Sequence, residues 1–304
     1  MDNMRLIVSV LMITFNHEKY IAKAIASVLM QKTNFDFEIV IGEDCSTDRT
    51  REIVLEYKAK YPDKIILLLQ EKNVGMMPNF IDTLKACTGK YIALLEGDDY
   101  WTEPYKLQKQ VDFLEKNLGY SSCAHQSLVT YESAGKEPHT FRNINSEIDL
   151  RLNDVLRLRP FHTASLVFRK SILKNSSIPL NITSGDRALY LLCASYGMIR
   201  YLPDTMCIYR KNDIGISNWV TYDLLKKDLN IIPWLIKINP KFPKYKYLSY
   251  LHFTIFSYPS NISLPHLLNH FFFYFIFSFS YFPKNLVELF RSTKFLIKTI
   301  VKNI

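Results

Sequence analysis

The first hundred residues alternate short apolar runs with stretches of helical periodicity. Leu6–Ile13 is almost continuously apolar, the pattern of a strand buried on both faces. Asn16 stands where a helix cap belongs, and Ile21, Ala24, Ile25, Val28 and Leu29 then recur on one helical face. Phe37–Ile41 reads as a second strand, followed by a helix from about Asp48 to Lys60, and Ile65–Leu69 as a third strand. Pro78 marks a helix start with Phe80, Leu84 and Cys87 facing inward, and Tyr91–Leu95 is the fourth strand. This βαβαβαβ order predicts a parallel sheet with right-handed crossovers, in which ligands gather beyond the carboxyl ends of the strands.

The second half is less regular. Ser121–Tyr131, Thr163–Phe168 and Met206–Tyr209 read as strands, Glu132–Glu147 as a polar loop, and Asp186–Tyr196 as a helix. From Trp219 onward aromatic and basic residues dominate. His266–Phe282 is strongly aromatic but shorter than the ~20 apolar residues a spanning helix needs. Lys284–Lys302 is amphipathic: Leu286, Leu289, Phe290, Leu296, Ile297, Ile300 and Val301 lie on one face, Arg291, Lys294, Lys298 and Lys302 on the other. The expected organisation is one α/β domain over 1–218, with halves of about 1–118 and 119–218, and a helical C-terminal region over 219–304.

Composition narrows the setting. The 304 residues are 48% hydrophobic and 22% charged, enough for a sizeable globular core. Five scattered cysteines without CxxC spacing fit a reducing compartment and argue against a zinc site. Met1–Phe15 is read as the first buried strand and not as a signal peptide, because its apolar run flows into an amphipathic helix without a cleavage site. The net charge of +9 is concentrated in the tail, where Val220–Ile304 holds 11 Lys and Arg against 3 Asp and Glu. Basic residues beside large aromatic surface are the composition of an interfacial helix on anionic lipid; a subdomain packing on the core or on a second subunit stays open. Nucleic acid is not expected, since no recognition motif accompanies the charge.

The candidate chemistry sits in Leu94-Leu95-Glu96-Gly97-Asp98-Asp99-Tyr100-Trp101, where a hydrophobic strand runs into three carboxylates. Carboxylates repel one another and resist desolvation, so the cluster suits a divalent cation; an acidic turn before a helix opened by Thr102 and Pro104 explains the spacing equally well. The other residues just after strands are Thr14-Phe15-Asn16, Glu43-Asp44-Cys45-Ser46 and Asn73-Val74-Gly75. No GxG occurs, so a dinucleotide fingerprint and a P-loop are both absent.

In this order the four sets resemble the family 2 glycosyltransferases of the GT-A fold, over about Ile7 to Ser217. Val8–Asn16 is similar to that family's opening strand, Glu43–Asp48 to its Asp-Asp-Gly-Ser-x-Asp motif, and Leu95–Asp99 to its metal-binding Asp-x-Asp. Asn73-Val74-Gly75 and Gly89-Lys90-Tyr91 follow in place. Ser184-Gly185-Asp186-Arg187 resembles the motif that supplies the catalytic base, and Tyr209-Arg210-Lys211-Asn212 a late Tyr-Arg-x-His element. Four positions depart from the pattern: Glu96 replaces an aspartate, Cys45 a glycine, Gly185 an acid and Asn212 a histidine.

The resemblance implies an α/β, Rossmann-like GT-A fold with a mostly parallel sheet, extended here by the aromatic and basic C-terminal helices. It implies an inverting hexosyl- or N-acetylhexosaminyltransferase that moves a sugar from a nucleotide donor, expected to be a UDP-sugar, to a hydroxyl of a glycan or lipid-linked acceptor. Mn²⁺ or Mg²⁺ would sit on Asp98, Asp99 and Glu96. The donor would meet Thr14, Phe15, Asn16, Asp44, Asn73, Gly75, Asp98, Asp99 and Arg210. Within that set Asp44 would accept from the uracil N3–H and Phe15 would stack on the ring, whereas Arg210 reaches the diphosphate or pairs with a carboxylate as structure. Asp186 would be the general base, or else only a cap of its helix; for Asp48, at the start of the second helix, a structural cap explains the position at least as well as a donor contact. His125 and His162 read as core histidines, with the alternative that His162, beside Thr163, faces the acceptor. The implied setting is bacterial surface polysaccharide or lipopolysaccharide assembly, at the cytoplasmic face of the membrane. Two other readings compete. A sugar-nucleotide nucleotidyltransferase needs a glycine-rich basic loop that Thr14-Phe15-Asn16-His17 does not offer. A catalytically silent scaffold at the membrane would have no use for Asp44, Asp98, Asp99 and Asp186.

Overall fold

The computed structural model describes residues 6–132, 135–157, 159–174, 176–212, 221–257, 263–279 and 293–294. In chain order the first half comprises β1 (Leu6–Thr14), α1 (Ile21–Leu29), β2 (Asp36–Glu43), α2 (Thr50–Lys60), β3 (Ile65–Leu69), α3 (Met76–Ala86) and β4 (Tyr91–Leu94). Then come β5 (Tyr100–Trp101), α4 (Lys106–Lys116), β6 (Tyr120–Tyr131), β7 (His139–Thr140), β8 (Ile148–Leu150), α5 (Leu152–Val155) and β9 (Val167–Arg169). The last elements are α6 (Gly185–Tyr196), β10 (Met198–Lys211), α7 (Tyr222–Lys227), α8 (Ile231–Ile238), α9 (Lys244–Ser257) and α10 (Leu264–Ser278).

The sheet runs β3-β2-β1-β4-β9-β6-β10-β5, with β7 on β6 and β8 on β10. The expected parallel order is present in β3-β2-β1-β4. Register places Thr14 opposite Glu43, Glu43 opposite Leu69 and Leu11 opposite Leu94, so four strands end at one edge. β1, β2 and β4 are buried on both faces, as their nearly continuous apolar runs require, and Val8, Val10, Met12, Ile39, Ile41, Tyr91 and Ala93 join Ile21, Ile25 and Val28 in one core. Each Val, Ile and Met among them contributes roughly 1.5–3 kcal/mol on burial.

Three local expectations are corrected. Asn16 does not cap α1: Tyr20 holds that position, and Asn16 adopts a left-handed φ of 54° while its Oδ1 accepts from Thr47 N–H at 2.8 Å. The strand expected over Thr163–Phe168 opens as a 3₁₀ turn at Thr163–Ser165, leaving only Val167–Arg169 to pair antiparallel between β4 and β6. The short strand expected at Met206–Tyr209 is the end of a 14-residue strand running parallel to β6.

The chain divides into two compact units. One comprises 1–152, 159–177 and 192–213; the other comprises 153–158, 178–191 and 214–304. In the second unit α9 and α10 pack on each other, burying Leu251, Ile255 and Phe256 with Leu267 and Tyr274. The amphipathic stretch Lys284–Lys302 lies outside the described residues, apart from Thr293 and Lys294.

One buried cation lies in the core of the first unit. Lys106 is fully buried, its Nζ has no hydrogen-bond partner among the described residues, and it sits 3.9 Å from the centre of the Trp101 ring. Burial pushes its ammonium down to about 7 from an ordinary value of 10.5. The unfolded chain therefore holds more protons than the folded one between those values, and stability rises with pH across that window. Lys106→Met is expected to raise stability at pH 7 by roughly 1–3 kcal/mol and to flatten that rise, read by thermal melts from pH 7 upward.

Candidate active site

The carboxyl edge of the sheet assembles the sequence motifs of the first unit. Asp44, almost fully buried, directs Oδ1 at the Val74 N–H (2.7 Å) and Oδ2 at the Gly75 N–H (2.9 Å). Its immediate work is to hold the Asn73–Gly75 loop against the end of β2; each oxygen retains a lone pair. Gly75 has φ +89°, which favours glycine, so Asp44 grips a loop that only a permissive residue turns. Cys45 occupies the position where the resembled family carries glycine and itself adopts a φ of 58°. Glu43, fully buried, pairs with Arg51 and accepts from Ser46 N–H at 2.6 Å, which fixes the rest of that loop. Phe15 leaves its ring 39% exposed at the mouth of this edge, while Asn73 is exposed. Thr14 is buried, with its Oγ1 3.3 Å from His17 Nδ1. Asp48 accepts from the Thr50 and Glu18 N–H groups, the structural role its position suggests.

The carboxylate cluster is built on β4 and the turn after it. Leu95 N–H and Gly97 N–H donate to Leu11 and Ile13 carbonyls, tying the turn to β1. A Cβ at Gly97 would fall 2.7 Å from Thr14 Oγ1 and 3.0 Å from His17 Nδ1, so glycine is needed for this close approach. Asp99 is buried; its Oδ1 accepts from Arg210 N–H at 2.9 Å and its Oδ2 lies 3.6 Å from His162 Nδ1. Asp98 is more open: Oδ2 accepts from Asn212 Nδ2 at 3.2 Å and lies 4.0 Å from His17 Nε2. Arg210 donates to the Asp98 carbonyl at 2.9 Å and is stacked over Tyr100 (4.5 Å) and Tyr20 (5.2 Å). Its backbone N–H on the Asp99 carboxylate, its guanidinium on the Asp98 carbonyl and its stacking on the two rings together brace the turn.

Burial and then the Asp98 charge push the Glu96 carboxyl up to about 7. The same causes, with Glu96 added, raise Asp99 well above the usual carboxylate range. Burial holds the His162 imidazole down at about 3. Glu96, Asp99 and His162 each bring a ligand atom within 4.8 Å of the others. Glu96 Oε2 is buried and has no hydrogen-bond partner among the described residues. Crowded carboxylates, an orphaned oxygen and a neutral imidazole together fit a divalent cation. Sequence reading put Glu96 and Asp99 in this set, with Asp98; His162, read as core, lies in it. His17, three residues beyond the end of β1, adds an imidazole 4.0 Å from Asp98 that sequence reading did not single out.

Asp186 belongs to the second unit. It opens α6, and its Oδ1 accepts from the Arg187 N–H at 2.7 Å. The turn before it is held by buried Asp228, which accepts from Thr183 N–H, Ser184 N–H and Ser184 Oγ at 2.6–2.9 Å. Asp228 carried no sequence signal, because it acts on residues 44 and 45 positions away.

This is the sheet and strand-end architecture of a GT-A glycosyltransferase, here with a helical C-terminal extension. The family model for glycosyl transferase family 2 matches residues 9–176, and the chain belongs to that family. An uncharacterized protein of Mycobacterium tuberculosis is 38% identical over 208 residues, 68% of this chain and 60% of the relative. The chain thus spans about 60% of the length of the curated relatives it matches first. The structure of Staphylococcus aureus TarS 1–349 in complex with UDP-GlcNAc is similar with a TM-score of 0.68 at 20% identity, over 88% of this chain and 80% of that one. The mannosyltransferase PcManGT from Pyrobaculum calidifontis, in complex with GDP-Man and Mn²⁺, is similar with a TM-score of 0.59 at 18% identity, over 98% and 87% of the two chains.

Proposed function

We propose that the protein transfers a sugar from a nucleotide donor, a UDP-sugar, to a hydroxyl of a glycan or lipid-linked glycan acceptor, with inversion at the anomeric carbon. The observation that carries this reading is the convergence of Asp44, the Asn73–Gly75 loop and the Glu96–Asp99 turn at one sheet edge in a family 2 chain. The UDP-GlcNAc complex of TarS supports a uridine donor. Phe15 is the ring that stacks on the base, and Asp44 fixes the loop beside it while keeping capacity to accept from the base edge. Thr14 and Asn16 shape the same edge.

Glu96, Asp99 and His162, with Asp98 adjacent, are the residues that would hold a divalent cation, Mn²⁺ or Mg²⁺. When bound, such an ion stabilises the charge that builds on the diphosphate leaving group. Arg210 and Asn212 hold the Asp98 carbonyl and carboxylate in place beside the residues that would carry the cation. Asp186 takes the proton from the acceptor hydroxyl as its oxygen bonds to the anomeric carbon and the bond to the diphosphate oxygen breaks. The basic and aromatic composition of the tail supports a peripheral position at the cytoplasmic face of a membrane that carries lipid-linked glycans.

Turnover of a UDP-sugar panel with Mn²⁺, read as UDP release, tests the reading. Release from at least one UDP-sugar is expected. No release from any UDP-, GDP- or dTDP-sugar would return the chain to the scaffold reading.

A further inference from the structure

Helix α10 is apolar nearly all the way round: across its 15 residues there is no Asp, Glu, Lys or Arg. One face is accounted for. Leu267, His270, Tyr274 and Ser278 are buried, and this face meets α9 through the His252–His270 and Ser249–Ser278 contacts and the packing of Phe253 and Phe256 on Tyr274. A second face is not. Leu264, Leu268, Phe272, Phe275, Ile276 and Phe279 are 38–57% exposed and recur at helical spacing, so they form a continuous stripe along four turns. Scattered exposed apolar residues need no explanation, but six aligned on one uncharged helix do.

We propose that this stripe is the face by which the protein lies on an anionic lipid surface, with α10 in the plane of the interface. The proposal rests on the placement at a membrane given above and names the element that makes the contact. Three observations favour lipid over other occupants. First, α10 is about 22 Å long, and no described helix is long and apolar enough to cross a membrane, so the apolar face suits shallow in-plane burial. Second, the unit that carries it is basic. Lys226, Lys227, Lys237, Lys241 and Lys244 are exposed, and Val220–Ile304 has a net charge of +8, complementary to anionic headgroups. Third, the stripe offers on the order of 500 Å² of apolar surface, short of the ~800 Å² per partner that a stable dimer interface buries.

Cosedimentation of the full chain with phosphatidylcholine vesicles, with and without phosphatidylglycerol, tests it. The wild type is expected to bind the mixed vesicles and to bind neutral ones weakly. Phe272→Gln/Phe275→Gln/Phe279→Gln is expected to lose roughly tenfold or more of that affinity, while UDP binding, which depends on the other unit, stays unchanged. Vesicle binding equal to wild type in the triple variant overturns the proposal. So does an environment-sensitive dye on Phe272→Cys, in a Cys45→Ser background, that is already blue-shifted without lipid and does not respond to vesicles; the stripe is then covered by residues 280–304. A dimer in solution that the triple variant dissociates would assign the face to a second copy and overturn it likewise. Loss of UDP binding in the wild type would instead sink the donor-site reading and leave the vesicle result standing.

Discussion

Asp186→Asn is expected to lower turnover by about 10²- to 10⁴-fold while UDP affinity and thermal stability stay at wild-type values. The substitution is nearly isosteric, and the asparagine oxygen can still accept from the Arg187 N–H at the start of α6. A purely structural Asp186 would therefore show little effect on kcat. The proposed base would show almost all of its effect there, because an amide takes no proton from the acceptor hydroxyl. Steady-state kinetics with a UDP-sugar, together with a melt of the variant, separate the two. Unchanged kcat would reassign Asp186 to its helix.

Asp98→Ala is expected to reduce turnover by roughly 10²- to 10³-fold or more and to weaken UDP binding in the presence of Mn²⁺. Asp98 is the least enclosed of the three clustered carboxylates, with contacts to Asn212 and His17 that are long or polar. Removing it should leave the fold intact. Asp99→Ala differs, because Asp99 is buried and accepts the Arg210 N–H that ties β10 to the turn. That variant is expected to lose stability as well as activity. A melting midpoint that drops equally in both variants would show that the turn is a structural unit in which Asp98 has no separate role.

The first four strands were legible in the sequence because each reads as a nearly continuous apolar run, and β1, β2 and β4 are buried on both faces. Their carboxyl ends then identified the residues after Thr14, Glu43, Leu69 and Leu94 without any knowledge of pairing. Legibility failed where long-range pairing decides the outcome. His162 reaches Asp99 only because β9 inserts antiparallel between β4 and β6, and nothing local to Phe161-His162-Thr163 announces that insertion. Asn16 looked like a cap, but its amide oxygen serves the next strand's loop instead of its own helix. Asp44 was read for the base alone, whereas both of its oxygens also hold the 74–75 loop. The tail's composition pointed to lipid, yet which residues of α10 stay exposed depended on how α9 packs against it.

The central claim, a metal-assisted uridine diphosphate site at the carboxyl edge of the sheet, is tested most directly by calorimetric titration of UDP into the wild-type chain with Mn²⁺ and with a chelator. Binding that requires the metal is the predicted result. No binding of UDP or any other nucleoside diphosphate with Mn²⁺ present would contradict it.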